Sequence, residues 1–297
     1  MTVNSMPASP TIRDAIMVFK PRIAIAIALS AMGGIAVTQG NAPSLGRLVL
    51  LTIAVFLAAG AAGAFNQWVE SDLDAKMKRT ANRPFVTGQF NPGLAWLAII
   101  TSVLVGSVLL AGFATNWWAA LYTFLGAFTY GVVYTVWLKR RSWTNIIVGG
   151  LAGSFAVLAG AAAVNPAIGT EGVLLTLVLF LWTPPHFWSL AMVSSDDYAN
   201  AGVPMLPLVV GQKTCAWVVL VHTIALSLIS LIPAWYGMGI IYFSGAAIGG
   251  VIFTWTSVAL VRNPNRSHAL KNFFASLLQL CLLLGGAIIE WALRGLS

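Results

Sequence analysis

The amino-acid sequence predicts an all-α protein, a polytopic bundle of nine transmembrane helices, and three observations carry that expectation. Of 297 residues, 59% are hydrophobic and only 8% charged, where soluble chains carry about 25% charged residues. The charges cluster, leaving apolar runs of about 20 residues, the length a helix needs to cross about 30 Å of hydrocarbon. The basic residues also sort by side. With the N-terminus in the cytoplasm, all of the 16 Lys and Arg except Arg47 and Arg294 fall on the cytoplasmic face, which is the positive-inside pattern.

The spans read at 21–39, 48–68, 94–113, 117–138, 145–165, 172–192, 215–235, 239–260 and 271–290. The first enters behind Lys20 and Arg22 and is its own insertion signal, because residues 1–20 lack the basic, apolar and cleavage regions of a signal peptide. The second and fifth carry Gly60, Gly63, Gly149, Gly150, Gly153 and Gly160, small residues that let membrane helices approach closely. Trp117, Trp118, Trp137, Trp143 and Trp291 fall near span ends and fit an interfacial belt. A sheet barrel requires alternating segments, and 50–65 and 173–181 are apolar without a two-residue period. The outward connections, 112–116, 165–171 and 233–239, are short and nearly uncharged.

Residues 1–297 are thus expected to form a single membrane-embedded domain, with 1–16 as a flexible N-terminal tail. The net charge of +8 is a topology signal, and no nucleic-acid partner is expected. Cys215 and Cys281 have no metal-ligand spacing around them and read as buried, inert thiols. Polar chemistry belongs to the cytoplasmic loops 69–93 and 193–214.

The first of these loops follows a carboxylate constellation. If helix continues through residues 64–84, Asn66, Glu70 and Asp74 repeat at i, i+4 and i+8 on one face, with Asp72 about 160° away from Asp74. Clustered carboxylates need a positive partner. Divalent metal is one solution, and hard oxygen ligands suit Mg²⁺; a solvated loop paired with Lys76, Lys78 and Arg79 is the other. Lys78, Arg79 and Arg83 have the chemistry to meet phosphate oxygens. The second acidic pair, Asp196 and Asp197, ends the sixth span behind Pro184 and Pro185, which are expected to interrupt the helix at His186. His222 and His268 have no comparable setting. Two acidic clusters at one membrane face fit a diphosphate held through Mg²⁺ with its organic tail in the bundle. An apolar chamber then shields an allylic cation, and Trp68, Tyr130, Tyr134, Phe187 and Trp188 have faces to stabilise it.

Beyond this reading, the chain resembles the intramembrane aromatic prenyltransferases, and within them the protoheme IX farnesyltransferase (heme O synthase) branch, over residues 17–288. The resemblance rests on Lys20-Pro21-Arg22; on Asn66, Glu70, Asp72 and Asp74; on Arg79, Thr80, Arg83 and Pro84; and on stretches at 134–140, 145–146 and 149–153. Its most specific parts are P-P-H-F-W at 184–188 and D-Y-x-x-A-G-V-P-M-L-P at 197–207. The chain departs from the pattern at 154–161 and at Ser194-Ser195.

What the resemblance implies is a Mg²⁺-dependent prenyltransferase of the bacterial inner membrane with its active site toward the cytoplasm. It moves a farnesyl group from farnesyl diphosphate to the 2-vinyl group of heme B with addition of water, giving heme O and diphosphate. Asn66, Glu70, Asp72, Asp74 and Asp197 are its implied catalytic residues, and all of these except Asp72 are implied metal ligands. Substrate contacts are implied for Lys20, Arg22, Lys78, Arg79, Arg83, Tyr134, Lys139, Arg140, Asn145, His186, Asp196 and Tyr198. Farnesyl diphosphate, heme B and membrane lipid are the implied partners, with product passing to heme A synthase or terminal oxidase assembly. A same-fold enzyme with another aromatic or tetrapyrrole acceptor is the alternative, and a transporter the more distant one.

Overall fold

The computed structural model describes residues 11–294. Eight helices in it are long and apolar enough to cross a membrane, and a ninth span is formed if a bent pair counts as one. That pair is α1 (Ile12–Val18) and α2 (Pro21–Val37), which meet at 48°. The hinge is Lys20, in the left-handed region at φ 49°, an uncommon conformation for a side-chain-bearing residue. Pro21 then supplies the preset φ of a first helical turn. The described part of the expected tail is folded: Thr11 and Asp14 form a capping box on α1.

The remaining elements follow in order. They are α3 (Leu45–Val69), α4 (Ser71–Asp74), α5 (Leu94–Ala114) and α6 (Trp117–Phe128), which continues as a π-helix over Thr129–Leu138. Next come α7 (Asn145–Gly149), α8 (Leu151–Val164), α9 (Thr170–Val193), α10 (Ser195–Asn200), α11 (Leu206–Val210) and α12 (Gln212–Ile229), then α13 (Ile240–Arg262) and α14 (Arg266–Arg294). Neighbouring helices pack in sequence into two half-rings, α2–α3–α5–α6–α8 and α9–α12–α13–α14. They join where α2 meets α14 and α8 meets α9.

The contact between α2 and α8, which closes the first set of helices, is set by glycine. A Cβ on Gly34 would lie 2.1 Å from the Val157 carbonyl oxygen, and one on Gly160 would lie 1.9 Å from that of Ala31. The helices touch backbone to backbone there, which accounts for the small-residue stretch at 154–161. Gly153, by contrast, meets nothing within 4 Å.

At the end of the bundle away from the acidic loops, carboxylates cap backbone. Glu171 accepts from the Gln39 amide at 2.8 Å, and Glu290 accepts from the Ile241 and Tyr242 amides at 2.9 and 3.3 Å.

Three expectations need correction. Pro184 and Pro185 lie inside an unbroken α9: each removes one amide donor, but the phi they impose is helical, and surrounding packing keeps the axis continuous. Asp196 and Asp197 do not end that span; Ser194 closes α9 and the pair opens the separate α10. Cys215 is buried as expected, but Cys281 is exposed.

Candidate functional site

The first acidic segment leaves helix α3 at Glu70, whose φ of −101° and ψ of 16° break the regular assignment. The hydrogen-bond ladder nonetheless continues: the Glu70 amide donates to the Asn66 carbonyl at 3.0 Å and the Asp74 amide to that of Glu70 at 2.8 Å. That is why the four-residue spacing survives the break. Asn66, Glu70 and Asp74 are 2%, 0% and 1% exposed, while the Asp72 side chain is 55% exposed.

Each acid has its own positive or backbone partner. Glu70 pairs with Lys139 and Asp74 with Arg83 at 2.5 Å. Asp72 meets the Arg140 fork with two bonds, at 2.7 and 2.8 Å. The Arg140 hydrogen bond, then its charge, hold the Asp72 carboxyl below the usual aspartate range against the opposing effect of partial burial. Asp197 accepts from the Lys78 and Arg79 backbone amides at 3.1 and 3.3 Å, so it ties the second acidic segment to the first loop.

Lys20 reaches the same place from the hinge between α1 and α2. Its ammonium donates to Asn66 Oδ1 and, at 3.2 Å, to the Tyr130 hydroxyl. Asn66 Nδ2 donates to Glu70 at 2.8 Å and to the Thr135 hydroxyl at 2.9 Å. Tyr130 and Tyr134 stack with centroids 5.7 Å apart, and the Lys139 ammonium lies 5.7 Å from the Tyr134 ring centre. The π-helix makes this possible. Its wide turn bonds Lys139 N to Tyr134 O and the Thr135 hydroxyl to Tyr130 O, each five residues back.

The Arg79 guanidinium lies beside the Tyr198 phenol, whose pKa is raised chiefly by burial. Asn145 is fully buried, donates to the Ser142 carbonyl at 2.6 Å, and leaves Oδ1 without a partner.

Other expected residues lie apart. Arg22 and Asp196 are exposed, and no described contact joins them to this cluster. His186 is buried on α9, face-on to Trp182 and Phe273 and 2.7 Å from the Ser276 hydroxyl. Trp68 packs on Phe65 and donates to the Gly93 carbonyl, and Trp188 is wholly buried against His222. Both fill core.

Thr135 was absent from the expectations, since a threonine in an apolar span carries no signal by itself. The polar face of α14 that includes Ser276 was missed as well, although Asn272, Ser276 and Gln279 at i, i+4 and i+7 in an apolar span were visible.

Among the described residues, no three His, Cys, Asp or Glu assemble as a ready-made metal centre. The donor set still fits Mg²⁺, which takes one or two carboxylates and completes its shell with water and substrate phosphate. Glu70 Oε1, buried and without a hydrogen-bond partner, is one free oxygen donor of that kind.

Residues 27–278 match the UbiA prenyltransferase family. A protoheme IX farnesyltransferase 2 of Paramagnetospirillum magneticum is 53% identical over 278 residues, which is 94% of this chain and 96% of the relative. Among solved structures, a digeranylgeranylglyceryl phosphate synthase aligns with a TM-score of 0.76 at 17% identity, covering 94% of this chain and 98% of that one. A UbiA homolog from Archaeoglobus fulgidus bound to DMAPP and Mg²⁺ aligns at 0.71 and 16% identity, covering 90% and 98%. At those identities the structural likeness speaks for the fold.

Proposed function

We propose that this chain, which belongs to the UbiA prenyltransferase family, transfers farnesyl from farnesyl diphosphate to the 2-vinyl group of heme B with addition of water, releasing diphosphate and heme O. One observation carries the reading: Lys20, Arg83 and Lys139 converge on Asn66, Glu70 and Asp74 at one end of an apolar bundle. The match to a protoheme IX farnesyltransferase along nearly the whole chain supports the acceptor.

The chemistry follows from the charges. Breaking the C1–O bond of the donor leaves negative charge on diphosphate, and preorganised cations lower the cost of its development. Arg83, Lys139 and Lys20, now engaged by the buried cluster, are recruited by the diphosphate, with Arg79 and Arg140 at the rim. Mg²⁺, when bound, supplies further charge neutralisation, and Asn66, Glu70, Asp74 and Asp197 are the residues that would hold it. The Tyr130 hydroxyl meets Lys20, and the Tyr134 ring lies beside the Lys139 ammonium; with that ammonium drawn to phosphate, the Tyr134 face serves the allylic cation. His186, Tyr198 and Asn145 belong to the acceptor side. The cluster faces the cytoplasm of a bacterial inner membrane, a sidedness that the distribution of basic residues supports.

The test is incubation of membranes containing the protein with heme B, farnesyl diphosphate and Mg²⁺, followed by mass analysis of extracted hemes. A gain of farnesyl plus water is the expected result. Unchanged heme together with prenylation of another added aromatic acceptor would overturn the acceptor assignment.

A further inference from the structure

A buried polar seam crosses the half-ring of α9, α12, α13 and α14. Asn272, Ser276 and Gln279 share one face of α14 and are each 0% exposed. Asn272 is fully engaged, accepting from Thr256 and Ser257 and donating to Ser189 at 2.9 Å. The Ser276 hydroxyl has two neighbours, the Phe273 carbonyl at 2.6 Å and His186 Nδ1 at 2.7 Å. With its one proton on the carbonyl it accepts from Nδ1, which is the Nδ1–H tautomer with the Nε2 lone pair free. Gln279, about one turn further along, has both amide atoms buried and without a partner. A buried amide with neither end satisfied is rare in packing and points to a small polar ligand.

The reaction proposed above has a second half that the diphosphate end does not serve. The vinyl terminal carbon bonds to farnesyl C1 as the C1–O bond breaks and its electron pair leaves with diphosphate. The carbon next to the porphyrin ring is then cationic, and one water must reach it inside an apolar bundle.

We propose that Gln279 holds this water and that His186 Nε2 takes its proton. The water oxygen gives a lone pair to the cation, forming the C–O bond; an O–H bond of the resulting oxonium breaks, its electrons stay on oxygen, and the proton passes to Nε2. A protonated alcohol is a far stronger acid than an imidazolium, so the imidazole accepts its proton. Trp182 and Phe273, face-on at 4.3 and 4.6 Å, stabilise the imidazolium. Ser276 is a positioning residue that sets the tautomer. The inference rests on the heme O reading, since other acceptors of the fold need no water.

The test measures product partition. Membranes are given heme B, farnesyl diphosphate and Mg²⁺ in ¹⁸O-water, and extracted hemes are separated into the hydroxylated product and the farnesylated product lacking water. Wild type is expected to give the hydroxylated product with one ¹⁸O. In His186→Ala and His186→Gln the ratio of hydroxylated to dehydrated product falls by about a hundredfold, while diphosphate release continues. Gln279→Leu lowers the ratio by a smaller factor, as does Ser276→Ala, and Ser276→Thr restores it. An unchanged ratio in Gln279→Leu and Ser276→Ala overturns the proposal even if His186→Ala fails to fold. So does a Soret shift of added ferric heme that wild type shows and His186→Gln loses, because it makes the histidine an iron ligand. Wild type that makes no hydroxylated product at all defeats the heme O reading instead.

Discussion

Replacing Lys139 by methionine removes one member of a pair whose side chains are 9% and 0% exposed. At hydrogen-bond contact, about 3 Å, and an effective dielectric of about 20, the lost attraction is about 5 kcal/mol. Desolvation already offsets much of that in the intact pair, so the variant's loss reflects Glu70 left charged and buried. Glu70 then keeps the Asn66 amide at 2.8 Å as its remaining partner. Breaking such a pair from one side costs about 3–5 kcal/mol. Adding Glu70→Gln removes the orphan charge while keeping an oxygen for Asn66, and most of the loss is expected to return. Unfolding free energies from denaturant titration in mixed micelles, for wild type, both single variants and the double, give the coupling directly. A double variant no more stable than Lys139→Met would refute the argument that an unpaired buried carboxylate is the source of the cost.

Four further outcomes are expected. Arg140→Gln should change stability by no more than about 1 kcal/mol, because its pair with Asp72 is exposed on both sides. Asp72 has a lowered folded pKa, so that contact contributes above the unfolded aspartate pKa and is lost as pH falls through the folded one; hydrogen exchange of residues 71–74 across that range should lose its acid dependence in Arg140→Gln. Asp197→Ala frees the Lys78 and Arg79 amides, and trypsin should cut between 76 and 79 at lower protease concentration, with Asp197→Asn intermediate. Gly160→Ala places a methyl carbon 1.9 Å from a carbonyl oxygen and should cost more than the roughly 1–3 kcal/mol of ordinary overpacking, whereas Gly153→Ala, with open space, should fold at wild-type yield.

The face carrying Asn66, Glu70 and Asp74 was legible because four-residue spacing is a helix's own signature, and it persisted through a local break since the i to i−4 bonds did. Their partners were not legible as partners. Lys20 is 46 residues from Asn66 and Lys139 is 69 from Glu70, separations that only tertiary packing closes. Lys139 entered the expectations as a phosphate contact through resemblance; that it neutralises Glu70 is information held in the bundle. Pro184 and Pro185 misled for the opposite reason: local chemistry argues for a break, and a helix packed along its length by α8, α12 and α14 absorbs two missing amide donors. The clustering of carboxylates was legible as a demand for positive charge; which cation each acid meets, Lys139, Arg140 or Arg83, was not.

The π-helix at Thr129–Leu138 stores the phase of the site in its winding. A turn that bonds five residues back holds about one residue more than an α-turn, so the same residues wound as an ordinary α-helix would carry Thr135 and Lys139 about 100° past Asn66 and Glu70 for each residue so absorbed. The helix would still span, and hydropathy would register no defect. Deleting one residue among 131–133 while the segment closes to α-helix cancels that rotation, so the two changes together keep a face that either alone would lose.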